Sequence, residues 1–207
     1  ETIFLGIMYS FLFSAYYLQK AGKQVLILEK GNGDVGCSFG NAGMVVPSHF
    51  VPLATPGMLE KGFKWMFDNE SPFYVKPRLS LDLLKWGLGF IKAANQKKLN
   101  QSIPYLRDIG LLSRALYHDL AKELPFFYEE KGLLMYCKTE GILEEEAHTA
   151  QLANKIGIEA KVLTKKEVDI LEPELNADVV GGVYFPGDTH LNPTELVSAL
   201  KNYLKTS

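Results

Sequence analysis

"ETIFLGIMYSFLFSAYYLQKAGKQVLILEK", residues 1–30, is the stretch that decides the fold. A short apolar run over about residues 2 to 6 predicts a buried strand. The pattern that follows predicts a helix to Lys20, ended by Ala21 and Gly22 because glycine readily takes the left-handed conformation that follows a helix. The segment "KQVLILEK" (23–30) is apolar in its middle, as buried parallel strands are. Strand, helix and strand within 30 residues predict a βαβ unit and therefore an α/β fold.

Two places in this region compete as a phosphate-binding turn. The segment "GNGDVG" (31–36) has the spacing G-x-G-x-x-G, which cradles phosphates when it ends a strand and opens a helix. From Cys37 onward the chain meets further glycines and prolines, so we expect no helix to begin there and interpret this segment as a spacer. The expected place is the first turn, where Gly6 suits the first glycine position. Met8 and Phe11, however, occupy the second and third.

An acidic residue lies where such a unit binds a ribose. Glu29 is at the tip of the second strand, 23 residues after Gly6, and could accept hydrogen bonds from a ribose hydroxyl. The alternative is a solvated glutamate beside Lys30. The strand–helix–strand frame alone does not decide between the two.

The rest of the chain alternates loops, helices and strands without an internal repeat. Glycines and prolines break residues 31–56, and Ser80 is a candidate N-cap. Thr164 with Glu167 three residues later predicts a capping box, and Asn192 before Pro193 predicts another helix start. Helices are predicted over 80–95, 103–124, 140–157, 164–172 and 193–204, and strands over 132–139 and from residue 181 onward.

Composition excludes several classes of protein. The chain has 207 residues, of which 47% are hydrophobic, and a net charge of −2, so a sizeable core is expected and a nucleic-acid partner is not. Cys37 and Cys137 lie a hundred residues apart, which suits neither a disulfide framework nor a metal site and favours a reducing compartment.

Two apolar features leave a membrane role open. Residues 2–18 carry no charge, so a membrane anchor over residues 3–18 is an alternative to a buried strand and helix, although several tyrosines and serines interrupt the run. Trp65, Trp86 and Phe90 form either part of the core, which we expect, or a surface that docks on a membrane.

Four segments carry a resemblance to a known family. They are "SAYYLQKAGKQVLILEKG" (14–31), "CSFGNAGMVVPSHFVPLATPGM" (37–58), "FYVKPRLSLDLLKWGLGFIKAA" (73–94) and "GGVYFPGDTHLNPTELVSAL" (181–200). Together they resemble FAD-dependent oxidoreductases of the D-amino-acid oxidase superfamily, above all bacterial D-amino-acid dehydrogenases and glycine-oxidase-like enzymes. The run "SFGNAGM" (38–44) is the most specific of these features.

The resemblance implies a Rossmann-like FAD-binding βαβ unit, here incomplete, with a helical insertion and part of an α+β substrate domain. The implied ranges are 1–56 for the N-terminal part of the FAD-binding domain, 57–130 for a helical region, 131–192 for part of the substrate domain, and 193–207 for a helix returning to the FAD domain. The implied cofactor is FAD. Its binding residues would be Gly6, Glu29, Lys30, Ser38, Asn41, Ala42, Gly43 and Met44.

The loop residues of that set would touch the flavin mainly through backbone groups. Small residues suit this role because the main chain must approach a planar ring closely, and glycine tolerates the conformations required. An ordinary irregular loop is the alternative. Asp188 is interpreted as a turn former and His49 as a structural histidine. Arg78, Arg107 and Arg114 are expected in helical or surface positions rather than on a substrate carboxylate.

By resemblance, the parent enzyme would oxidatively deaminate a D-amino acid or similar small amine. The flavin accepts a hydride and water hydrolyses the resulting imine, so no catalytic residue is assigned. Electrons would pass to a respiratory quinone or to oxygen. The protein would be cytoplasmic, with peripheral association at the inner face of the cytoplasmic membrane as a further expectation.

The sequence departs from the family pattern in its first turn, "GIMYSF" (6–11), and in its length, about half that of the family. We therefore expect an inactive N-terminal fragment of such an enzyme. The alternatives are a non-enzymatic truncated remnant and a protein anchored through residues 3–18.

Overall fold

The computed structural model describes residues 2–5, 8–31, 36–56, 80–175 and 177–206. The chain divides into two compact units. One comprises Glu1–Val46 together with Leu112–Ser207, and the other comprises Pro47–Leu111. The assignment of residue ranges to a cofactor domain and a substrate domain stays a prediction.

The first unit opens with the predicted βαβ arrangement. Strand β1 (Thr2–Leu5) is followed by helix α1 (Tyr9–Lys20) and strand β2 (Val25–Leu28). The two strands are parallel, with Thr2 opposite Val25 and Leu5 opposite Leu28. The expected strand and helix over the uncharged N-terminal run are thus confirmed. In the part of the chain that the structure describes, no helix combines the length and apolarity needed to cross a bilayer.

A short antiparallel sheet joins distant parts of this unit. It has the order β3 (Met44–Val45), β8 (Thr189–Leu191), β4 (Tyr128–Glu129). Helix α6 (Pro193–Thr206) follows β8 directly, and Asn192 Oδ1 accepts the backbone N–H of Thr194, as its predicted capping role requires. The apolar faces of α1 and α6 pack together in a core that includes Leu12, Tyr16, Val45, Leu120, Leu191, Leu196 and Leu200.

A second antiparallel sheet has its own helical cover. Its order is β5 (Leu133–Cys137), β7 (Gly181–Phe185), β6 (Lys161–Thr164). Helices α4 (Glu140–Lys155) and α5 (Lys165–Leu171) contact it, and Val168 and Val183 are buried between these layers. The predicted capping box is confirmed, since the Thr164 side chain accepts the N–H of Glu167 and the Glu167 carboxylate accepts the N–H of Thr164.

The unit Pro47–Leu111 contains helix α2 (Leu81–Ala93), capped by Ser80 as predicted. A 28-residue helix, α3 (Gln96–Glu123), begins in this unit and continues into the other. It starts seven residues before the predicted Ile103 and includes Pro104 in its interior. Proline disfavours a helix interior because it lacks an N–H. Asn95 supplies the start instead, as its Oδ1 accepts the N–H of Lys98 at 3.0 Å.

The aromatic group of this unit differs from its expected position. Trp86 is 49% exposed, and its ring lies 5.5 Å from that of Phe90. The expectation of a core position is therefore wrong for Trp86. A residue flanked by Leu, Gly and Lys gives no local sign of which helix face the fold covers. Trp65 lies outside the described residues.

Candidate functional site

The carboxyl ends of β1 and β2 lie side by side because the two strands are parallel. Ligands of α/β proteins bind outside such ends. Helix α1 begins there at Tyr9, and the loop that follows β2 returns to the same point. The backbone N–H of Tyr9 donates to the Ser38 hydroxyl oxygen at 3.1 Å. The structure thus places Ser38 at the start of α1.

Asn41 holds this loop together through its side-chain amide. Its Nδ2 donates to the carbonyl oxygens of Cys37 at 3.2 Å and Ser38 at 3.1 Å, while its Oδ1 accepts the N–H of Gly43 at 2.9 Å. These bonds connect Asn41 to the residues before it and after it in the chain, and so fix the conformation of residues 37–43. Residues 36–43 open no helix, as expected for the segment after "GNGDVG", of which residues 32–35 lie outside the described residues.

Tyr9 connects the loop to α6 and was not among the residues singled out from the sequence. Its hydroxyl accepts a bond from Asn41 Nδ2 at 3.4 Å and donates to the Pro193 carbonyl oxygen at 3.5 Å. Burial raises the pKa of Tyr9, and the Asn41 bond opposes that effect. The hydroxyl therefore stays protonated at neutral pH and remains a donor. Its place as the first helical residue after the segment that joins β1 to α1 was the signal that could have identified it.

Gly43 fixes the end of the loop against β8. Its φ is +65°, and its carbonyl oxygen accepts the Leu191 N–H at 2.8 Å. A Cβ at this position would lie 2.0 Å from the Leu191 carbonyl oxygen. Only glycine meets both requirements, because other residues avoid this conformation and the space is already filled by backbone.

The remaining predicted cofactor residues lie around this loop. Glu29 follows β2 directly, is exposed, and accepts the Gly31 N–H at 3.1 Å. Lys30 and Ala42 are exposed, and Met44 is a half-exposed residue of β3 opposite His190. Gly6 lies outside the described residues.

A cavity of about 240 Å³ lies between β2, α1 and α6. Glu29 and the lysines Lys201 and Lys205 supply its charged groups, and Leu12, Val25, Ile27 and Leu204 its apolar ones. Glu29 therefore belongs both to the carboxyl end of β2 and to the wall of this cavity.

The remaining described candidates lie at the turn between β7 and β8 or near the surface. Asp188 is fully buried in the turn between β7 and β8, where its carbonyl oxygen accepts the Gly132 N–H, in keeping with a turn former. Arg114 Nη1 donates to the Gly187 carbonyl oxygen in that turn at 3.0 Å. His49 is exposed next to the Ser48 hydroxyl, and Arg107 pairs with Asp108. Arg78 lies outside the described residues. Within the described ranges, no group of three His, Cys, Asp or Glu side chains is placed to hold a metal ion.

A family model described as "FAD dependent oxidoreductase" matches residues 12–207, almost the whole chain and all of the loop that follows β2. The chain belongs to this family of FAD-dependent oxidoreductases. FAD is the cofactor of the family. The match begins just after Met8 and Phe11, the two positions at which the first turn departs from the glycine pattern.

Relatives of this chain include D-amino acid dehydrogenases. That of Helicobacter pylori is 32% identical over 206 residues, which cover 99% of this chain and 49% of the relative. D-amino acid dehydrogenase 2 of Ralstonia nicotianae is 31% identical over 199 residues, which cover 92% of this chain and 47% of that relative. The chain thus spans about half the length of these relatives.

Solved structures share its fold. Glycine oxidase from Geobacillus kaustophilus superposes with a TM-score of 0.66 at 22% identity, covering 99% of this chain and 44% of the oxidase. L-α-glycerophosphate oxidase from Mycoplasma pneumoniae, solved with FAD bound, superposes with a TM-score of 0.60 at 14% identity, covering 99% and 42% respectively. The Rossmann-like α/β expectation is confirmed by these neighbours.

The candidate site fits one part of FAD more closely than another. The exposed Glu29 carboxylate at the end of β2 suits a ribose, which donates hydroxyl hydrogen bonds. At the start of α1, Met8 occupies the second glycine position in an extended conformation, 56% exposed, and Phe11 occupies the third. A diphosphate bound here would lie against the Met8 side chain. It would also compete with the Ser38 hydroxyl oxygen for the Tyr9 N–H. The ribose end fits, and the diphosphate end carries side chains where the fingerprint has glycine.

Proposed function

We propose that the protein of which this chain forms part or all catalyses FAD-dependent oxidation of a D-amino acid or similar small amine. The observation that carries the proposal is the loop of residues 38–43, closed by Asn41 and held at the start of α1 beside the end of β2. When bound, FAD supplies the acceptor for the hydride that leaves the substrate. The family match and the D-amino acid dehydrogenases among the relatives support this assignment.

Each predicted cofactor residue has a role in this proposal. Glu29 accepts hydrogen bonds from the ribose, with Lys30 beside it, and Gly6 opens the turn at the diphosphate. Ser38 keeps the start of α1 and the loop in register through its bond to Tyr9. The segment Asn41, Ala42, Gly43 and Met44 lies along the flavin. The Asn41 amide fixes this segment, so the cofactor meets a loop that is already ordered.

The electron acceptor and location belong to the same proposal. A respiratory quinone or oxygen takes up the electrons, and the protein associates peripherally with the inner face of the cytoplasmic membrane. Exposed aliphatic side chains along α2 support a membrane association.

FAD titration of the purified chain tests the cofactor role. Asn41→Ala removes the side-chain bonds that close the loop, and we expect it to weaken FAD binding about tenfold or more, since each lost bond is worth about 1 kcal/mol. Asn154→Ala is the matched control. Asn154 bridges to Ala160 by the same pair of amide bonds, at 2.9 and 3.1 Å, and lies in α4, which covers the other sheet, β5-β7-β6. Equal effects of the two variants, or no flavin bound by the unsubstituted chain, would contradict the assignment.

Reduction of an artificial dye tests the reaction. The flavin-loaded protein of which this chain forms part or all is expected to reduce the dye with D-amino acids and to discriminate against their L-enantiomers. Flavin binding by that protein without any amine-dependent reduction would instead favour a non-enzymatic remnant, whereas an inactive chain beside an active longer protein would agree with an inactive fragment.

A further inference from the structure

Helix α3 presents an apolar stripe to the solvent. Four of its residues follow one another at intervals of four, three and four, the spacing that places side chains on one face of a helix: Tyr105, Ile109, Leu112 and Leu116. Their exposed fractions are 77%, 65%, 57% and 41%. We call these four residues the α3 stripe. Because α3 is one continuous helix, their relative positions follow from helix geometry alone.

A different face of α3 is held by the fold. Ile103 is buried, and an added Cβ at Gly110 would lie only 3.2 Å from Pro47 Cα. Nearer the end of the helix, the half-buried Tyr117 packs its ring against that of Phe13 at 5.5 Å. These contacts fix the helix along its length and leave the α3 stripe facing outward.

Polar and charged residues continue this face at the same spacing in both directions. On the amino-terminal side they are Ser102 and Lys98, of which Lys98 is exposed. On the carboxyl-terminal side they are Asp119 and Glu123, whose side chains are 66% and 47% exposed. Both carboxylates have an ion pair within the chain, and both keep surface that a further cation can reach. The face therefore has a basic start, an apolar middle and an acidic end.

A cavity of about 200 Å³ opens beside the carboxyl-terminal half of the α3 stripe. Its lining residues are Phe13, Tyr17, Ser113, Leu116 and Tyr117. Tyr17 and Leu116 are 43% and 41% exposed, so the mouth of the cavity reaches the surface. Three aromatic rings in the lining suit an inserted aromatic side chain, because rings favour edge-to-face and offset contacts with one another.

We propose that two copies of the chain associate through their α3 stripes, with the two helices antiparallel about a twofold axis. Spacings of three and four residues are those of helices that pack side by side. When Ile109 lies opposite the partner's Leu112, the same register places Tyr105 opposite the partner's Leu116. Tyr105 is the most exposed residue of the stripe, and it then lies at the mouth of the partner's cavity. The twofold axis repeats this contact in the other direction.

The charges at the two ends of the face favour the antiparallel direction. In this register Lys98 lies opposite the partner's Glu123, and Ser102 lies opposite the partner's Asp119. A parallel pair would instead place Lys98 beside the partner's Lys98 and Glu123 beside the partner's Glu123. Opposite charges across an interface fix its direction, and like charges disfavour the alternative. The face is thus complementary to itself in charge as well as in shape.

This inference goes beyond the proposed function and depends on neither FAD nor an amine substrate. The predicted cofactor residues belong neither to the α3 stripe nor to the lining of the cavity. Dimer formation and cofactor binding can therefore fail separately.

Sedimentation velocity of the purified chain over a wide range of concentrations tests the inference. We expect a monomer–dimer equilibrium, with the dimer dominant at high concentration. Ile109→Gln with Leu112→Gln should raise the dissociation constant about tenfold or more, since each copy loses two aliphatic side chains that the contact buries. Tyr105→Ala should also raise it about tenfold or more, because an aromatic side chain seated in a pocket contributes strongly to an interface.

Two substitutions at Ser102 test the antiparallel register. Ser102→Lys places a cation opposite the partner's Asp119, and Ser102→Glu places an anion there. The dissociation constant should fall about threefold for the lysine variant and rise about threefold for the glutamate variant. High salt should reduce both effects. In a parallel pair both substitutions would place like charges together, so a rise in both variants would overturn the register.

The matched control is Ile170→Gln with Leu175→Gln, which replaces two exposed aliphatic residues outside α3 and should leave the dissociation constant unchanged. Circular dichroism confirms that each variant is folded, and FAD titration of the same samples reports the proposed function independently. A chain that stays monomeric at every concentration would overturn the inference. So would equal effects of the stripe and control variants, or a dimer that persists unchanged in the stripe variants.

Discussion

Gly43→Ala should destabilise the chain more than its backbone conformation alone accounts for. An alanine at φ +65° costs about 1–2 kcal/mol, because its Cβ crowds the backbone in the left-handed region. The added Cβ would also lie 2.0 Å from the Leu191 carbonyl oxygen, whereas an ordinary contact begins at 3.4 Å. Moving the two backbones apart would break the bond from Leu191 N–H to Gly43, worth about 0.5–1.5 kcal/mol. The expected total loss is about 1.5–3.5 kcal/mol.

Urea unfolding of Gly43→Ala and Gly22→Ala separates the two contributions. Gly22 has a similar φ of +72°, but nothing lies within 4 Å of an added Cβ, so its substitution reports conformational strain alone. The free energy of unfolding from linear extrapolation should fall by about 1–2 kcal/mol for Gly22→Ala. It should fall further, by about 0.5–1.5 kcal/mol more, for Gly43→Ala. Equal losses in the two variants would refute the close approach of Gly43 to β8.

Three further predictions concern other parts of the first unit. Thr164→Ala removes the N-cap of α5 and should lower the free energy of unfolding by about 1 kcal/mol, measured by urea unfolding; an unchanged value would contradict the capping box. Hydrogen bonds from Lys20 and, to a smaller extent, from the Tyr16 hydroxyl lower the pKa of the Glu123 carboxyl. The ionised carboxylate therefore stabilises the fold above its unfolded pKa of about 4.5. The stability difference between the unsubstituted chain and Glu123→Gln should therefore shrink as the pH falls through that region, and a constant difference would exclude the charge effect. Met8→Gly restores the second glycine at the start of α1 and should tighten FAD binding several-fold in a fluorescence titration, whereas weaker binding would show that the Met8 side chain assists the cofactor.

The βαβ unit could be predicted because its signals are local. The apolar run of residues 25–28, the helix stop at Gly22 and the loop-forming residues after Gly36 each specify their own conformation within a few residues. The capping residues Ser80, Thr164 and Asn192 are local in the same sense, since each bonds to a backbone N–H two or three positions away. The start of α3 lies seven residues before the predicted Ile103, with Asn95 Oδ1 accepting the N–H of Lys98 and Pro104 inside the helix.

The site depends on contacts that no local pattern contains. Ser38 meets Tyr9 across 29 positions, and Gly43 meets Leu191 across most of the chain. The sequence by itself determined which residues have the small or hydrogen-bonding side chains that a cofactor loop requires. Only the tertiary structure decided that this loop docks on the first turn of α1 and that Gly43 lies against Leu191. Side-chain type and spacing act over one or two turns of chain, whereas these arrangements follow from which surfaces the packed sheets and helices cover.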